Sequence, residues 1–453
     1  MSNSWREWVV AGLAAVSTAA CTKTVNQCEV DTDCKNVAYP FCDVNGQYPS
    51  SGGVMNVCTI VPTNCPVERC GCQPGAATCS ADQLVACDPS GTATTSTSCS
   101  LGCADTKDHC LTFTPSNGLE TAFAGASIQP DVAIPDGTSI NTDTGLVLGP
   151  NNNLISVASV IVTHPTGDIR VYVAKSFSFK GVTISGSKAA AFVAENDITI
   201  DGLVDASANS NIPGPGGQTT FSSCQGVYAQ VGGVANGGVG GGGANAGAGG
   251  TGISRPTSTD PVAYGPGGTA QIALTNLVGG CAGGTAAANN GGAGGGAVQL
   301  VAGGSVTFKP AGTGVGGLLD VGGGGGPLSG GGGSGGNIII EAPHVDIEGR
   351  LTANGGGGGC GSKAGEDGHP SAATAAGGCY RSPGTGPYGG SGGTKNSVAG
   401  GSGTFGMQTG NYGDFAGGGS VGRAIIRTGD GTYVTGTQAI ISVVATTETL
   451  TRK

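Results

Sequence analysis

Four short apolar blocks with one shared pattern constrain the fold of this chain more than any other feature. When the blocks are aligned, Ala174, Ala194, Ala302 and Ala342 take the same position, twenty residues apart in the first pair and forty in the second. Each block reads as a short strand, a small-residue corner, a second strand, a Gly corner and a third strand. A repeat of about twenty residues with this pattern is typical of one coil of a parallel β-helix.

Alternation within a block predicts which side chains face inward. In residues 197–206, the apolar members occupy alternate positions and the polar members lie between them. The inward set is Ile198, Ile200, Val204 and Ala206, and the outward set is Asp197, Thr199, Asp201 and Asp205. Because inward side chains must stack on the coil above, they are apolar, whereas outward positions are free. The sequence therefore predicts an all-β, parallel β-helix-like solenoid.

The position before the Gly corner carries a charge of alternating sign. In the four blocks it is Lys180, Asp201, Lys309 and Glu348. If the blocks stack in sequence order, about 4.8 Å apart, opposite charges become neighbours in one outer column.

Glycine-rich tracts separate the later blocks. Residues 211–420 contain 71 glycines in 210 positions, with irregular spacing that excludes collagen. Glycine loses the most backbone entropy on ordering and has no side chain to bury. The tracts are therefore either disordered or ordered by backbone hydrogen bonds, as in extended polyglycine II segments that bond laterally to their neighbours.

The chain contains 17 cysteines, and sixteen of them are candidates for disulfide bonds. Twelve lie between Cys28 and Cys110, and the other four lie in pairs within the two glycine-rich tracts. Four histidines in the whole chain and the absence of zinc-ligand or haem-attachment spacing make metal the weaker alternative. The candidates are Cys28, Cys34, Cys42 and Cys58 in a first module; Cys65, Cys70, Cys72, Cys79, Cys87, Cys99, Cys103 and Cys110 in a second; Cys224 with Cys281; and Cys360 with Cys379.

Cys21 is the odd cysteine, and it follows a short apolar segment. Residues 1–20 have the arrangement of an export signal, with an apolar run too short to span a bilayer and small residues before the cut. The string Thr18-Ala19-Ala20-Cys21 resembles a bacterial lipobox, which implies that Cys21 is lipidated. Ordinary secretion and a retained membrane anchor are the alternatives. The processed protein would contain no tryptophan, since Trp5 and Trp8 both lie in the signal.

These features together predict an order of segments along the chain. They are an export signal at 1–20, a lipidated N-terminus and first cysteine-rich module at 21–62, a second cysteine-rich module at 63–112, β-helix coils at 118–211, a glycine-rich insert at 212–295, further coils at 296–353, a second glycine-rich insert at 354–421 and a C-terminal β cap at 422–453.

Charge and motifs limit the partners. A net charge of −10 repels nucleic acid, so none is expected as a partner. The Gly-x-Gly-x-x-Gly strings do not open a helix after a strand, so a dinucleotide is not indicated and no cofactor is expected. The turn from Gly365 to His369 has the ligands for a cation, but it also reads as an exposed polar turn.

Two groups of outward polar residues are candidates for catalysis. They are Asp197, Asp201 and Asp205, and His344, Asp346 and Glu348. A pair of carboxyls about 5 to 10 Å apart could cleave a sugar bond. The simpler interpretation is solvated residues and column ion pairs of about 0.2 to 1 kcal/mol each. The alternating lysines fit only the second interpretation, so no catalytic residue is assigned.

The chain resembles myxobacterial-type cysteine-rich, glycine-rich surface lipoproteins. The resemblance rests on the lipobox-like string, on Cys79-x7-Cys87-x11-Cys99-x3-Cys103-x6-Cys110, and on blocks such as residues 337–342. It implies an exported protein on the outer membrane or cell surface, held by its lipid anchor.

Three functions follow as hypotheses. The first is a structural or adhesive role at the cell surface, with extracellular polysaccharide or surface proteins as partners. The second is binding or cleavage of polysaccharide by the β-helix. The third is ligand binding by the cysteine-rich modules, with the solenoid as a spacer.

Overall fold

The computed structural model describes residues 28, 33–34, 41–44, 55–59, 72, 75–88, 94–218, 228–230, 238–255, 257, 259, 261–270, 276–286, 291–311, 316–361, 363–379, 389–404 and 413–453. The chain divides into two compact units, Met1–Cys110 and Leu111–Lys453. In the described part it is almost all-β, with one α-helix beside 28 strands.

The described part of the first unit contains two small antiparallel sheets, each with disulfides at its strands. Its strands are β1 (Phe41–Asp43), β2 (Val57–Thr59), β3 (Ala77–Ser80), β4 (Gln83–Cys87) and β5 (Thr94–Ser98). β1 pairs with β2, and β4 pairs with β3 and β5. Its described disulfides are Cys28–Cys42, Cys34–Cys58, Cys72–Cys87, Cys79–Cys103 and Cys99–Cys110. Since every residue of β5 is exposed, covalent bridges replace the apolar core that such short strands cannot build.

The second unit begins with helix α1 (Glu120–Ala126) and continues almost entirely as strands. The first group is β6 (Val132–Ile134), β7 (Thr138–Asn141), β8 (Val147–Leu148), β9 (Ala158–Val162), β10 (Ile169–Ala174), β11 (Phe177–Ser185), β12 (Ala189–Ala194) and β13 (Ile198–Asp205), with a 3-10 turn at Pro150–Asn152. The second group is β14 (Tyr228–Gln230), β15 (Gly238–Gly240), β16 (Gly252–Arg255), β17 (Ala263–Gly265), β18 (Ala297–Ala302), β19 (Ser305–Phe308) and β20 (Leu318–Asp320). The last group is β21 (Asn337–Glu341), β22 (His344–Ile347), β23 (Arg350–Thr352), β24 (Gly413–Phe415), β25 (Arg423–Thr428), β26 (Val434–Thr435), β27 (Ile440–Ser442) and β28 (Val444–Thr449).

Successive passages of the chain add parallel strands to two large sheets. The seven-stranded sheet has the order β28-β25-β21-β18-β12-β10-β9, and only β9 runs antiparallel to its neighbour. The eleven-stranded sheet follows the path β26-β22-β19-β13-β11-β7-β8, with β6, β20, β23 and β27 paired beside it. Smaller sheets contain β14 with β15, and β16 with β17 and β24.

The predicted alignment of the four blocks is confirmed by the strand register. Ala174 pairs with Ala194, and Ala194 pairs with Ala302. In the other sheet Phe179 pairs with Ile200, and Ile200 with Phe308. The strands therefore stack in parallel in sequence order, as the repeat predicts.

Inward side chains form apolar columns through both sheets. One column of the seven-stranded sheet contains Tyr172, Phe192, Leu300, Ile340 and Ile426. A facing column of the larger sheet contains Ile134, Phe179, Ile200, Phe308 and Ile347. The rings of Phe179 and Phe192 meet edge to face, with centroids 5.0 Å apart. All ten are almost fully buried in one continuous core, and each contributes about 1.5 to 3 kcal/mol of transfer free energy.

The glycine tracts are ordered by backbone hydrogen bonds where the structure describes them. Residues 330–336 are all buried, and their N–H groups donate to three neighbouring segments in rotation, with each third residue returning to the same neighbour. The donor and acceptor pairs are Gly331 to Gly284 and Ser334 to Cys281, Gly332 to Gly417 and Gly335 to Ser420, and Gly333 to Gly324 and Gly336 to Val321. A period of three without internal bonds is the geometry of the polyproline II helix.

Three further segments donate to the carbonyl oxygens of the same tract. Gly359 and Gly356 donate to Gly330 and Gly333, Gly292 and Gly295 donate to Gly331 and Ser334, and Gly243 and the Asn245 side chain donate to Gly332 and Gly335. Six neighbouring segments thus surround one central tract. We call this arrangement of residues 240–245, 281–284, 292–295, 321–324, 330–336, 356–359 and 417–420 the glycine lattice.

The few polar side chains within the glycine lattice fix its segments to one another. Ser334 Oγ accepts the N–H of Cys281, and Ser420 Oγ accepts the N–H of Asn245, both at 2.8 Å. Asn245 Nδ2 donates to the Gly335 carbonyl and to Asn337 Oδ1. Non-glycine residues therefore stand where a side chain adds a cross-link.

No helix within the described part of the chain has the length and apolarity needed to cross a membrane.

The glycine lattice predicts a position-specific effect of a single methyl group. A Cβ at Gly331 would overlap the Gly241 carbonyl oxygen, whereas a Cβ at Gly361 would meet no atom within 4 Å. We expect Gly331→Ala to lower the free energy of unfolding by about 1 to 3 kcal/mol or more, because overpacking separates hydrogen-bonded segments. Gly361→Ala should leave it unchanged or raise it by up to about 1 kcal/mol. Denaturant unfolding of both variants makes the comparison, and equal effects would contradict a close-packed lattice.

Candidate functional site

The outward aspartates of residues 197–205 are engaged in local structure. Asp197 Oδ1 accepts the backbone N–H of Ser305 at 2.7 Å and its hydroxyl at 2.8 Å, which ties one passage of the chain to the next. Asp205 Oδ1 accepts the N–H and hydroxyl of Ser207, at 3.0 and 2.6 Å. Both carboxylates therefore stabilise strand ends and turns.

The charge column contains one described ion pair. Lys180 Nζ contacts Asp201 Oδ2 on the neighbouring passage. The backbone of Lys309 bonds to Ile200, and that of Glu348 bonds to Phe308, so these residues follow in the same register. Among the ion pairs that the structure describes, none within 4.0 Å involves Lys309 or Glu348. Since Lys180 and Asp201 are both exposed to solvent, their pair contributes little stability.

The second trio of polar residues does not form a connected group. His344 is exposed, and Asp346 lies between Thr307 and Val434 in the strand ladder. Asp346 Oδ1 is buried and has no hydrogen-bond partner among the residues that the structure describes. No described hydrogen bond or ion pair joins His344, Asp346 and Glu348, so the geometry gives no relay between an acid and a base.

The turn at residues 365–369 fixes neighbouring backbone segments. Asp367 Oδ1 accepts the N–H groups of Ser210 and Gly325, at 2.8 and 2.7 Å. The N–H of Ala376 donates to Glu366 and holds the pKa of that carboxyl below its ordinary value. These bonds give the acidic pair a structural use that requires no cation.

Sulfur atoms crowd together twice in the first unit, in the groups Cys28, Cys34 and Cys58, and Cys79, Cys99 and Cys110. All six belong to disulfides. Because a zinc ion binds thiolates, these sulfurs are not zinc ligands in the oxidised protein.

The remaining cysteine predictions fall partly outside the described residues. Cys360 pairs with Cys379, which links two points of one predicted insert. Cys281 is disulfide-bonded, and its predicted partner, Cys224, lies outside the described residues. Cys21, Cys65 and Cys70 also lie outside them.

A cavity of about 400 Å³ lies beside the C-terminal edge of the seven-stranded sheet. It is lined by residues 114–116, 449–451 and three charged side chains, Glu341, Arg427 and Glu448. The three charged residues are consecutive in the register of β21, β25 and β28. Arg427 donates from Nη1 to Glu341 and from Nε to Glu448, each at 2.7 Å.

Glu341 is the buried anchor of this cavity. Its side chain is 1 % exposed, and its carboxylate also accepts the N–H of Ser116 and the side-chain amide of Gln299. Such complete pairing stabilises a buried carboxylate.

The Arg427 guanidinium keeps one nitrogen for a ligand. Its described hydrogen bonds use Nε and Nη1, and Nη2 forms none within the described part of the chain. Two carboxylates against one guanidinium leave a net charge of −1, which favours hydroxyl groups over anions.

Sequence reasoning did not single out Glu341 or Arg427. Both end apolar runs, at residues 337–341 and 423–427, and they take the same position in the aligned runs. Opposite charges at one aligned position were the signal that could have identified them.

A second buried carboxylate, Asp320, lies where the larger sheet meets the glycine lattice. It is 4 % exposed and stacks between Asp205 and Thr352 in the strand ladder. Burial raises the pKa of Asp320 to about 7, and the charge of Asp205 adds to the increase. Hydrogen bonds from the Thr352 hydroxyl, at 2.7 Å, and from the Gly322 N–H, at 3.2 Å, lower the pKa and so oppose this increase.

Comparisons of this chain with protein-family models, curated proteins and solved structures found no match.

The Asp320 carboxyl predicts a pH-dependent stability. The pKa of Asp320 is raised in the folded state, so the protonated carboxyl favours folding. Its contribution to the free energy of unfolding is complete near pH 4 and is lost as the pH rises through about 7. Asp320→Asn keeps both hydrogen-bond acceptor contacts and removes the titration. We therefore expect the variant to match the wild type near pH 4 and to be about 2 to 4 kcal/mol more stable at pH 8.

Urea unfolding at both pH values, without reductant, measures this difference. Asp201→Asn, which removes an exposed carboxylate, is the control and should show a much smaller change with pH. An equal difference between Asp320→Asn and wild type at both pH values would contradict the assignment.

Proposed function

We propose that this chain is an exported surface protein with a structural or adhesive role, held at the outer membrane by lipid on Cys21. The observation that carries the proposal is the glycine lattice, a buried array that is held together by backbone hydrogen bonds. The disulfides of the first unit support export, because such bridges persist in oxidising compartments. The resemblance to myxobacterial-type surface lipoproteins supports the same location.

We further propose that the two large sheets are faces of a parallel β-helix and that the glycine lattice is a polyglycine II bundle attached to it. Strand order and register support the first part, since each passage adds to both sheets in turn. The donor period of three and the six neighbours of residues 330–336 support the second. A β-helix beside a cross-bonded bundle would be stiff, which suits a protein that carries load or presents a surface.

The lipid anchor and the adhesive role can be tested in one set of strains. Cells that produce the wild-type chain should retain it in the outer-membrane fraction, with an acyl group on Cys21 by mass spectrometry, and should attach to surfaces more than cells without the chain. Cys21→Ala should release the protein into the medium and reduce attachment to the level of cells without it.

Two lattice variants separate adhesion from simple anchoring. Gly331→Ala should remain in the membrane fraction but lose attachment, and Gly361→Ala should retain both. Attachment that is equal in cells with and without the wild-type chain would contradict the adhesive role. Cys21→Ala protein that stays in the membrane would contradict the lipid anchor.

The cavity around Arg427 favours a second function, binding of a neutral saccharide. Its volume of about 400 Å³ is within the usual range for small-ligand sites. Arg427 Nη2, which has no hydrogen-bond partner among the described residues, can donate to a hydroxyl. Glu448 can accept from other hydroxyls, and the threonines that line the cavity can accept or donate.

A matched pair of arginine variants tests this second function. Arg427→Lys keeps the charge beside Glu341 but removes the planar donor group. If saccharide binds here, affinity on a glycan array should fall about tenfold or more, whereas Arg350→Lys in the other sheet should have no effect. Binding that is unchanged in Arg427→Lys would exclude this cavity.

A further inference from the structure

The two ends of the strand stack differ in their chemistry. At the C-terminal end, Thr447 and Thr435 continue the inward apolar columns, and four consecutive residues of β28, Thr446 to Thr449, are exposed. Polar residues at the last step of a stack make that end compatible with water.

The opposite end exposes apolar side chains on an edge strand. β9 is the last strand of the seven-stranded sheet, and its Val160 and Ile161 are 49 % and 47 % exposed. Leu146 and Leu154, which precede β9, are 47 % and 66 % exposed. The turn at Gly145 lies against Ser159 of β9, so Leu146 is close to the same edge.

The segment that forms this edge carries no charged side chain of its own, although Arg170 of the neighbouring β10 pairs with Ile161. Residues 146–162 contain no Asp, Glu, Lys, Arg or His, in a chain whose net charge is −10. Sheet edges are ordinarily protected by charged residues, by proline or by a covering segment. β9 contains no charged residue and no proline, and no described backbone group pairs with its outer side.

We propose that β9 pairs with β9 of a second copy of this chain, antiparallel about a two-fold axis, so that two seven-stranded sheets become one. The strand is self-complementary: with the axis at Val160, Ser159 lies opposite Ile161 of the second copy, and Ala158 opposite Val162. Two edge strands without charged side chains meet without the repulsion that a net charge of −10 imposes elsewhere. The pairing buries the exposed valine and isoleucine and satisfies the open N–H and C=O groups.

A lipid surface is the less suitable occupant of the same edge. Apolar side chains would enter the bilayer favourably, but the open backbone groups of β9 would find no hydrogen-bond partner there. A second β-strand satisfies both the side chains and the backbone.

Sedimentation velocity of the full chain over a concentration series tests the proposal. We expect a reversible dimer, and we expect Val160→Lys to raise its dissociation constant tenfold or more. Val434→Lys is the matched control, since Val434 is an exposed valine of an edge strand at the other end, and it should dimerise like the wild type. Ile161→Glu provides a second disruptive variant if thermal melting shows that Val160→Lys is not folded.

Hydrogen exchange gives an independent result without mutation, because the amides of residues 158–162 should become more protected as the protein concentration rises. Three outcomes would overturn the proposal. They are a wild-type chain that is monomeric at about 100 μM, a dimer weakened equally by Val160→Lys and Val434→Lys, and a monomer that instead cosediments with phosphatidylcholine vesicles through Val160.

Discussion

Backbone hydrogen bonding between glycine segments is the interaction on which the rest of the second unit depends. Residues 330–336 bond to six neighbours, and those neighbours come from parts of the chain as distant as residues 243 and 420. A side chain at most of these positions would separate the segments. The low apolar and charged content of this region therefore reflects a fold whose interior is backbone, with hydrogen bonds in place of most hydrophobic contacts.

The strand stack and the glycine lattice support each other. Strands β18, β21 and β25 each begin directly after a glycine tract, and β20 and β23 each lead into one. The apolar columns fix the register of the strands. Because the glycine tracts start and end at these strands, that register sets the spacing between the ends of neighbouring tracts. Conversely, Asn245 and Asn337 bond to each other where tracts meet strands, so the lattice constrains where each new strand starts.

The sequence predicted the strand stack well because its information is local. Alternation in residues 197–206 and the aligned alanines sufficed to predict the pairing of Ala174, Ala194 and Ala302. The lattice could be predicted only as one of two alternatives, because glycine tracts carry no pattern that says which segment bonds to which.

The cavity residues Glu341 and Arg427 were missed because each looks like the polar end of an apolar run. Asp197 and Asp205 have the sequence pattern of catalytic candidates, but their hydrogen bonds to Ser305 and Ser207 depend on neighbours that a single sequence does not identify.

Hydrogen exchange of the glycine amides, followed by mass spectrometry or NMR on the native full chain, tests the central claim most directly. If backbone bonds build the interior, the amides of residues 331–336, 355–359 and 417–420 should exchange as slowly as those of β18 and β21, by several orders of magnitude relative to an unstructured chain. Exchange of these glycines at unstructured rates, beside protected strands, would show that the tracts are not bonded to one another and would contradict the account.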